Sequence, residues 1–465
     1  MEQFKGVLEN VNGVVWGIPL IVLLMGTGLF MTLRLGALQI KHLGRALRYV
    51  VINEESGHGE ISAFGALCTA LAATIGTGNI VGVATAMTIG GPGALFWMVV
   101  SAFLGMATKY AEGLLAVKYR VIERDGHTLG GPFYYIERGM GKSFIWLAKL
   151  FAFFGAFAGL LGIGTIVQVN GISSAVNGFF DPANENTIRL FGHDYSITVA
   201  VTAVVVSFLT GLVIIGGIKR IAGVSMVVVP FMAMSYVYVS LLILICNYKE
   251  IPGSILEIFT EAFGFRAAAG GVIGAIMVSM KIGIARGVFS NEAGLGSAPI
   301  AAAAARTKEP ARQGLVSMTG TFIDTIVMCN ITGLTIMVTN SWNLGMEGVQ
   351  VTLNTFSTGL PFDPVAGSFI LMASLVFFAF STIIGWNYYG ERCLEYLVGG
   401  RGGALILYRW LYIIAVLAGP FMTLSAVWTI ADILNGLMAI PNLIALLALS
   451  GVVVTETKIF LRRTI

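Results

Sequence analysis

Long apolar runs alternate with short polar punctuation along the whole chain, and the lengths of those runs predict its elements. A helix that crosses a hydrocarbon core of about 30 Å needs roughly 20 apolar residues. Runs of that kind fall at 14–33, 63–90, 93–117, 144–176, 197–217, 221–246, 270–290, 313–338, 365–398, 405–425 and 428–453, so eleven transmembrane helices are expected. The first run lacks a basic leader and a small-residue cleavage site, and reads as a retained helix. Behind it, LGRALRYVV interleaves Arg45 and Arg48 with apolar residues. That pattern suits an amphipathic helix on the membrane surface or a solvated loop.

Composition agrees with a lipid solvent. Hydrophobic residues make up 56% of the 465 and charged residues only 11%, against about 25% charged in soluble domains. The 59 glycines fit membrane helices, where a missing side chain lets backbones approach closely. Basic residues then set the orientation, because short cytoplasmic loops retain Lys and Arg. One side collects Arg34, Lys41, Arg45, Arg48, Lys118, Arg120, Arg124, Arg138, Lys142, Lys219, Arg220, Arg306, Lys308, Arg312, Arg401, Lys458, Arg462 and Arg463. The other holds Lys5, Arg189, Lys249 and Arg266. This places the N-terminus outside and the C-terminus in the cytoplasm, in a multi-pass protein of the cell (inner) membrane. It also accounts for the net charge of +4 without a nucleic-acid partner.

Few residues offer enzyme chemistry. Cys68, Cys246, Cys329 and Cys393 stand singly in apolar runs, with neither metal-site nor disulfide spacing. His42, His58, His127 and His193 all fall in loops, and HExxH, GxSxG and paired aspartates are missing. No cofactor is expected.

The polar chemistry lies at depth, first in TIGTGNIVG, residues 74–82. Irregular backbone survives in a membrane only where it is buried in protein or lines a polar cavity. A break here ends one half-helix near Thr74 and starts another near Asn79. Carbonyls freed at about Ala72 to Ile75, with the oxygens of Thr74 and Asn79, suit a small cation. The amides of Thr77, Gly78 and Asn79 suit a carboxylate. The alternative is a glycine face used only for helix packing.

A second interruption is read in SMKIGIARGVFSNEAGLGSAP, at Gly283 and Gly287, five helices later. Corresponding breaks in two halves of a chain point to a transporter's central site. Lys281, inside this span, pairs with an acid such as Glu112 or Asp324, snorkels to water, or takes part in coupling. In AFSTIIGWNYYGERC, Ser381 and Thr382 offer adjacent hydroxyls, and Trp386, one turn on, shares the face of Thr382. They close a cation cage and limit a substrate's size, or else serve as a self-bonded hydroxyl pair and a belt indole. Gln168 and Asn170 line the same cavity or bridge neighbouring helices.

Together these stretches resemble the sodium:alanine (alanine or glycine:cation) symporters. GGPGALFWMVVSAFLG follows that family's signature, departing at Val99, where a second Trp is usual. TIGTGNIVGVATA, GGPFYYIERGMG, RGVFSNEAGLGSAP and STIIGWNYYGERC extend the likeness over nearly the whole chain. The resemblance implies an all-α polytopic protein of the leucine-transporter-fold group, with helices 2 and 7 discontinuous. In that arrangement 1–62 form an extra helix and surface segment, 63–247 and 268–453 two inverted five-helix repeats, and 454–465 a cytoplasmic tail. It implies a substrate site at Thr77, Gly78, Asn79, Gln168, Met280, Gly283, Ile284, Thr382 and Trp386. Sodium is expected at Ala72, Thr74, Ile75, Asn79, Ser381 and Thr382. The expected function is sodium-coupled import of alanine or glycine by alternating access, with sodium the coupling ion and the lipid bilayer the surroundings. The alternatives are a proton-coupled transporter of the same fold, a passive channel and an intramembrane enzyme.

Overall fold

Backbone amides in hydrocarbon must be satisfied within their own segment, so apolar runs of this length become helices. The computed structural model describes residues 2–52, 57–124, 126–190, 192–264, 272–400, 402–422 and 424–463. Arg266 and Arg401 of the charge count, and the start of the span expected at 270, lie outside them.

Among the described residues, nine helices are long and apolar enough to cross a membrane, or ten when the bent pair Ala63–Thr74 and Gly78–Gly90 is taken as one span. The run expected at 270–290 forms a helix of 20 residues, Val272–Asn291. LGRALRYVV forms a helix, Leu43–Val51. The apolar run at 144–176 is not one helix. It divides into Ile145–Leu161 and Ile166–Phe180, because Gly162 and Thr165 leave helical geometry. Outside the spans, among the described residues, are two antiparallel hairpins, Val121–Ile122 with Thr128–Leu129 and Thr187–Leu190 with His193–Ser196. The segment expected as a tail is helical, Ser450–Arg463.

Small residues set the packing at the centre. The helix Gly93–Lys118 lies against Pro310–Thr321 and Val272–Asn291. A β-carbon at Gly113 would strike Ser317, and one at Gly314 would strike Tyr110. Large apolar side chains such as Phe208, Val227, Phe231 and Ile245 stand exposed on the outside, where an acyl-chain environment would cover them.

The two interrupted segments are tied together at one end. His58 bridges Thr307 and Ile61 bridges Ala305. The Arg120 guanidinium donates to the carbonyls of Ala303 (2.9 Å), Ala305 (2.6 Å), His58 (2.8 Å) and Thr307 (2.7 Å). The chain entering the first segment and the chain leaving the second are thereby held as one body.

Candidate substrate and ion site

The first break lies where TIGTGN predicts it. Ala63–Thr74 ends with Ile75 extended (φ −74°, ψ 95°), and the chain resumes through a π-helical turn, Gly78–Gly82, with an overall bend of 53°. Side chains replace the missing backbone bonds. Asn79 Oδ1 accepts from the Gly76 N–H at 2.9 Å, and Gln168 Oε1 accepts from the Thr77 N–H at 3.1 Å. Gly76 is obligatory, since a β-carbon would collide with Thr382 and meet Gln168 Oε1 at 3.0 Å.

The freed carbonyls face Pro364–Val398. Ser381 Oγ lies 3.2 Å from Ala72 O and 3.5 Å from Ile75 O, and Thr382 Oγ1 lies 3.3 Å from Ile75 O. These four oxygens are the expected cage without two of its members. Ser381 and Thr382 also bond back to Phe378 O, at 2.8 and 3.1 Å, so they are a self-bonded pair as well as neighbours of the freed carbonyls; the Thr74 hydroxyl is directed to Ala70 O (3.2 Å) and Leu71 O (3.4 Å) of its own helix instead. The Asn79 amide is engaged with Gly76 and, through Nδ2, with Asp324 Oδ1 at 2.8 Å. Both therefore leave the proposed ion position.

The amide cradle for a carboxylate is also partly occupied. Gln168 holds the Thr77 N–H, and Asn79 N donates to Gly76 O at 3.2 Å. Gln168 in turn donates to Ile163 O at 3.1 Å, linking the first break to the interruption at 162–165. By contrast, the Thr77 hydroxyl is buried without a hydrogen-bond partner. A hollow of about 910 Å³ reaches Thr77 from the face of 342–349, also lined by Val81, Asn170 and Gly171. Asn170 thus lines this cavity and Gln168 serves as a bridge.

The second break is real but displaced. Val272–Asn291 runs through Gly283 and Gly287 uninterrupted. Those glycines are packing sites, since β-carbons there would meet Trp97 at 2.9 Å and Ser101 at 2.7 Å. The helix stops at Asn291 and resumes as Ala298–Ala303, with Glu292 (φ 56°), Gly294 (φ 90°) and Gly296 (φ 81°) in left-handed conformations between. At 1.5 Å of rise per residue, Met280 and Ile284 lie roughly 12 to 18 Å before this break. Met280, Gly283 and Ile284 are therefore not the neighbours of Trp386 at the break. Phe289 and Ser290 meet the first break instead, 3.4 and 3.1 Å from where a Gly78 β-carbon would stand. Trp386 is fully buried and donates from Nε1 to Glu292 Oε1 at 2.7 Å.

Lys281 is exposed, and the acids proposed for it are engaged elsewhere. Around the second break, among the described residues, lie the acids Glu112, Glu292 and Asp324 and the base Lys109, none more than 2% exposed. Lys109 Nζ donates to Asn291 O at 2.9 Å, capping the negative end of the interrupted helix. Asp324 accepts from Asn79 (2.8 Å), Ser290 (2.8 Å) and Thr325 (2.7 Å). The signal was available in the sequence: Lys109 and Glu112 sit within an apolar run. Above the site, Arg286 Nη2 pairs with Asp432 Oδ2 at 2.8 Å. Its guanidinium lies 5.5 Å from the Phe289 ring and 5.2 Å from the Trp428 ring.

Comparison with known proteins adds context to this geometry. The description "sodium:alanine symporter family" matches residues 1–464. The chain is 54% identical to an uncharacterised transporter of Haemophilus influenzae, over 99% of this chain and 96% of that one. It is 48% identical to the sodium/alanine symporter AgcS of Methanococcus maripaludis, over 98% and 97% respectively. Among solved structures, MhsT in complex with L-phenylalanine is similar in fold, with a TM-score of 0.61 at 14% identity over 86% of this chain and 93% of that one.

Proposed function

The chain belongs to the sodium:alanine symporter family, whose members are transporters rather than enzymes, and on that premise we propose that it imports alanine and glycine by sodium-coupled alternating access. The observation that carries this reading is the convergence of Ser381 and Thr382 on the carbonyls of Ala72 and Ile75. Four neutral oxygens at the negative end of a half-helix suit a monovalent cation that must be released each cycle.

In this reading the amino acid sits beside the cation, with its carboxylate toward Thr77 and Gly78. Gln168 then gives up the Thr77 N–H to it, and the unpartnered Thr77 hydroxyl gains a bond. Phe289 and Trp386 limit side-chain size. The Arg286–Asp432 pair and Trp428 close the hollow above.

The same reading takes the architecture as eleven spans, with an extra segment at 1–62, inverted repeats at 63–247 and 268–453, and the N-terminus outside. Two breaks, each followed by a resumed half-helix, support it. One sodium moving inward gains about 2.3 kcal/mol per 100 mV, and a tenfold sodium gradient adds about 1.4 kcal/mol.

Labelled alanine uptake into proteoliposomes, with each gradient imposed separately, tests the proposal. Accumulation above the external concentration under a sodium gradient is expected, and choline in place of sodium at fixed pH abolishes it. Equilibration without accumulation identifies a channel. Accumulation driven equally well with choline under a proton gradient identifies the proton-driven alternative.

A further inference from the structure

Three carboxylates and one ammonium are buried around the second break, an excess of negative charge in a water-poor region. Leaving such charge unpaired is costly, so the arrangement of donors decides where neutralising protons reside. Glu292 has a partner on each oxygen, Trp386 Nε1 on one and Ser297 Oγ on the other. Asp324 has Asn79 on Oδ1, with Ser290 and Thr325 on Oδ2.

Glu112 is different. Its Oε1 accepts from the Gly294 N–H at 3.1 Å and from Asn442 Nδ2 at 2.7 Å. Its Oε2 is buried without a hydrogen bond of ordinary geometry, the Gly296 N–H being one weak further donor toward the carboxyl group. A carboxylate oxygen so poorly bonded at zero exposure is the costly arrangement, and a carboxylic acid there is the cheap one.

We infer that Glu112 is a proton-binding site, its Oε2 carrying a dissociable proton while Oε1 clasps the second break. The charged and titratable groups around it are Lys109 on its own helix, Glu292 on the linker, Tyr135 on Pro132–Tyr135, Tyr389 on Pro364–Val398 and, beyond Lys109, Asp324. Asn442 from Leu424–Ala448 completes the shell. The chemistry is a simple exchange: a hydronium ion gives its proton to Oε2 and leaves as water. The reverse occurs when movement of 292–297 admits water to that oxygen. The proton's residence stands on this geometry alone, whereas its passage with each alanine rests on the sodium-coupled reading above.

The test uses the full-length protein and Glu112→Gln, which presents an oxygen to Gly294 and an amide where the acid hydroxyl stood. In infrared difference spectra across a pH titration, the parent protein shows a protonated-carboxyl band that Glu112→Gln lacks, and Glu112→Asp shows the band displaced. Identical spectra for parent and Glu112→Gln overturn the site.

In weakly buffered proteoliposomes holding a pH dye, sodium and alanine together drive a dye response in the parent. The ratio of protons to labelled alanine falls toward zero in Glu112→Gln, whatever its rate of uptake. An unchanged ratio overturns the coupling. If the parent accumulates no alanine under a sodium gradient, the transport reading has failed, and the infrared comparison still decides the proton site.

Discussion

The indole N–H of Trp386 reaches 2.7 Å to the carboxylate of Glu292, joining the long helix Pro364–Val398 to the break in the second interrupted segment. Glu292 holds a positive φ of 56°, a conformation unfavourable for a residue with a side chain. Its carboxylate therefore serves both to fix the break and to orient the ring. Replacing Trp386 by Phe keeps the bulk and removes the donor, leaving a buried oxygen unsatisfied at a cost of about 1–3 kcal/mol. The expected result is a lower melting temperature with the parental preference for alanine over leucine. Trp386→Ala, which removes the bulk as well, raises leucine uptake relative to alanine in a competition assay. If Trp386→Ala retains the parental ratio, the ring does not bound the substrate pocket.

Ser381 and Thr382 present the two hydroxyls nearest the freed carbonyls of the first break. Loss of one oxygen facing a cation costs about 1.5 kcal/mol or more, roughly a tenfold change. Ser381→Ala and Thr382→Ala should each raise the sodium concentration for half-maximal uptake by about that factor. Thr74→Val makes a sharp control, because the Thr74 hydroxyl is directed to Ala70 and Leu71 of its own helix, whereas Ser381 and Thr382, although they bond back to Phe378 O, also reach the freed carbonyls. Sodium titrations of uptake that rank Thr74→Val with the other two would place the ion elsewhere.

How much of this was written in the sequence differs between the two breaks. The first was legible because its glycines flank Asn79 and threonines, residues that bond loose backbone locally. At the second, Gly283 and Gly287 suggest an interruption by the glycines alone, with no Asn or Thr beside them, yet they only admit the neighbouring helix Gly93–Lys118. A lone glycine in a membrane helix brings helices together without unwinding either. The actual break is marked by Glu292, Gly294 and Gly296, three left-handed positions within five residues. Lys281 drew attention because it is charged, but it is exposed, whereas Lys109 lies deep in its run. Contacts such as Glu112 with Asn442 join residues 330 apart and leave no trace in local pattern.

His127, in the loop after Gly93–Lys118, lies between two carboxylates from separate segments, Glu60 at 3.1 Å from Nδ1 and Glu395 at 3.4 Å from Nε2, and Arg392 Nη1 meets the same Nε2. Burial and the Arg392 guanidinium disfavour the charged ring, but hydrogen bonds to Glu395 and Glu60 outweigh them and raise its pKa above the usual 6.5. Burial likewise pushes Glu60 upward, while the bonds from His127 and the Thr128 N–H carry it below 4.5. A raised histidine contributes stability that is complete below its unfolded pKa and is lost as pH climbs through the folded value. A lowered carboxylate contributes above its unfolded pKa and fails as pH falls through the folded one. The bridge is therefore strongest between pH 4.5 and 6.5. Melting temperatures of the parent should fall as pH rises past that window, and His127→Gln should flatten the alkaline limb. Parallel pH profiles for the two proteins would show that the imidazole charge contributes nothing.

The Arg286 guanidinium lines the hollow that leads to Thr77 and pairs with Asp432, and beside it the Phe289 and Trp428 rings lie tilted by 33° at 4.9 Å between centres. Phe289 also touches Gly78, so the pair is one side chain away from the first break. Breaking such a pair strands its partner charge, and the cost is commonly about 3–5 kcal/mol for buried pairs. Arg286→Asp and Asp432→Arg should each raise the alanine concentration for half-maximal uptake by well over tenfold. Because the surrounding rings and hollow are unchanged, the combined swap restores opposite charges at the same place. It should recover a measurable part of the loss. Alanine titrations of the four proteins at fixed sodium give the coupling directly: a swap no better than the worse single variant would mean that the two charges act independently, and closure above the site would then have to rest on the aromatic pair alone.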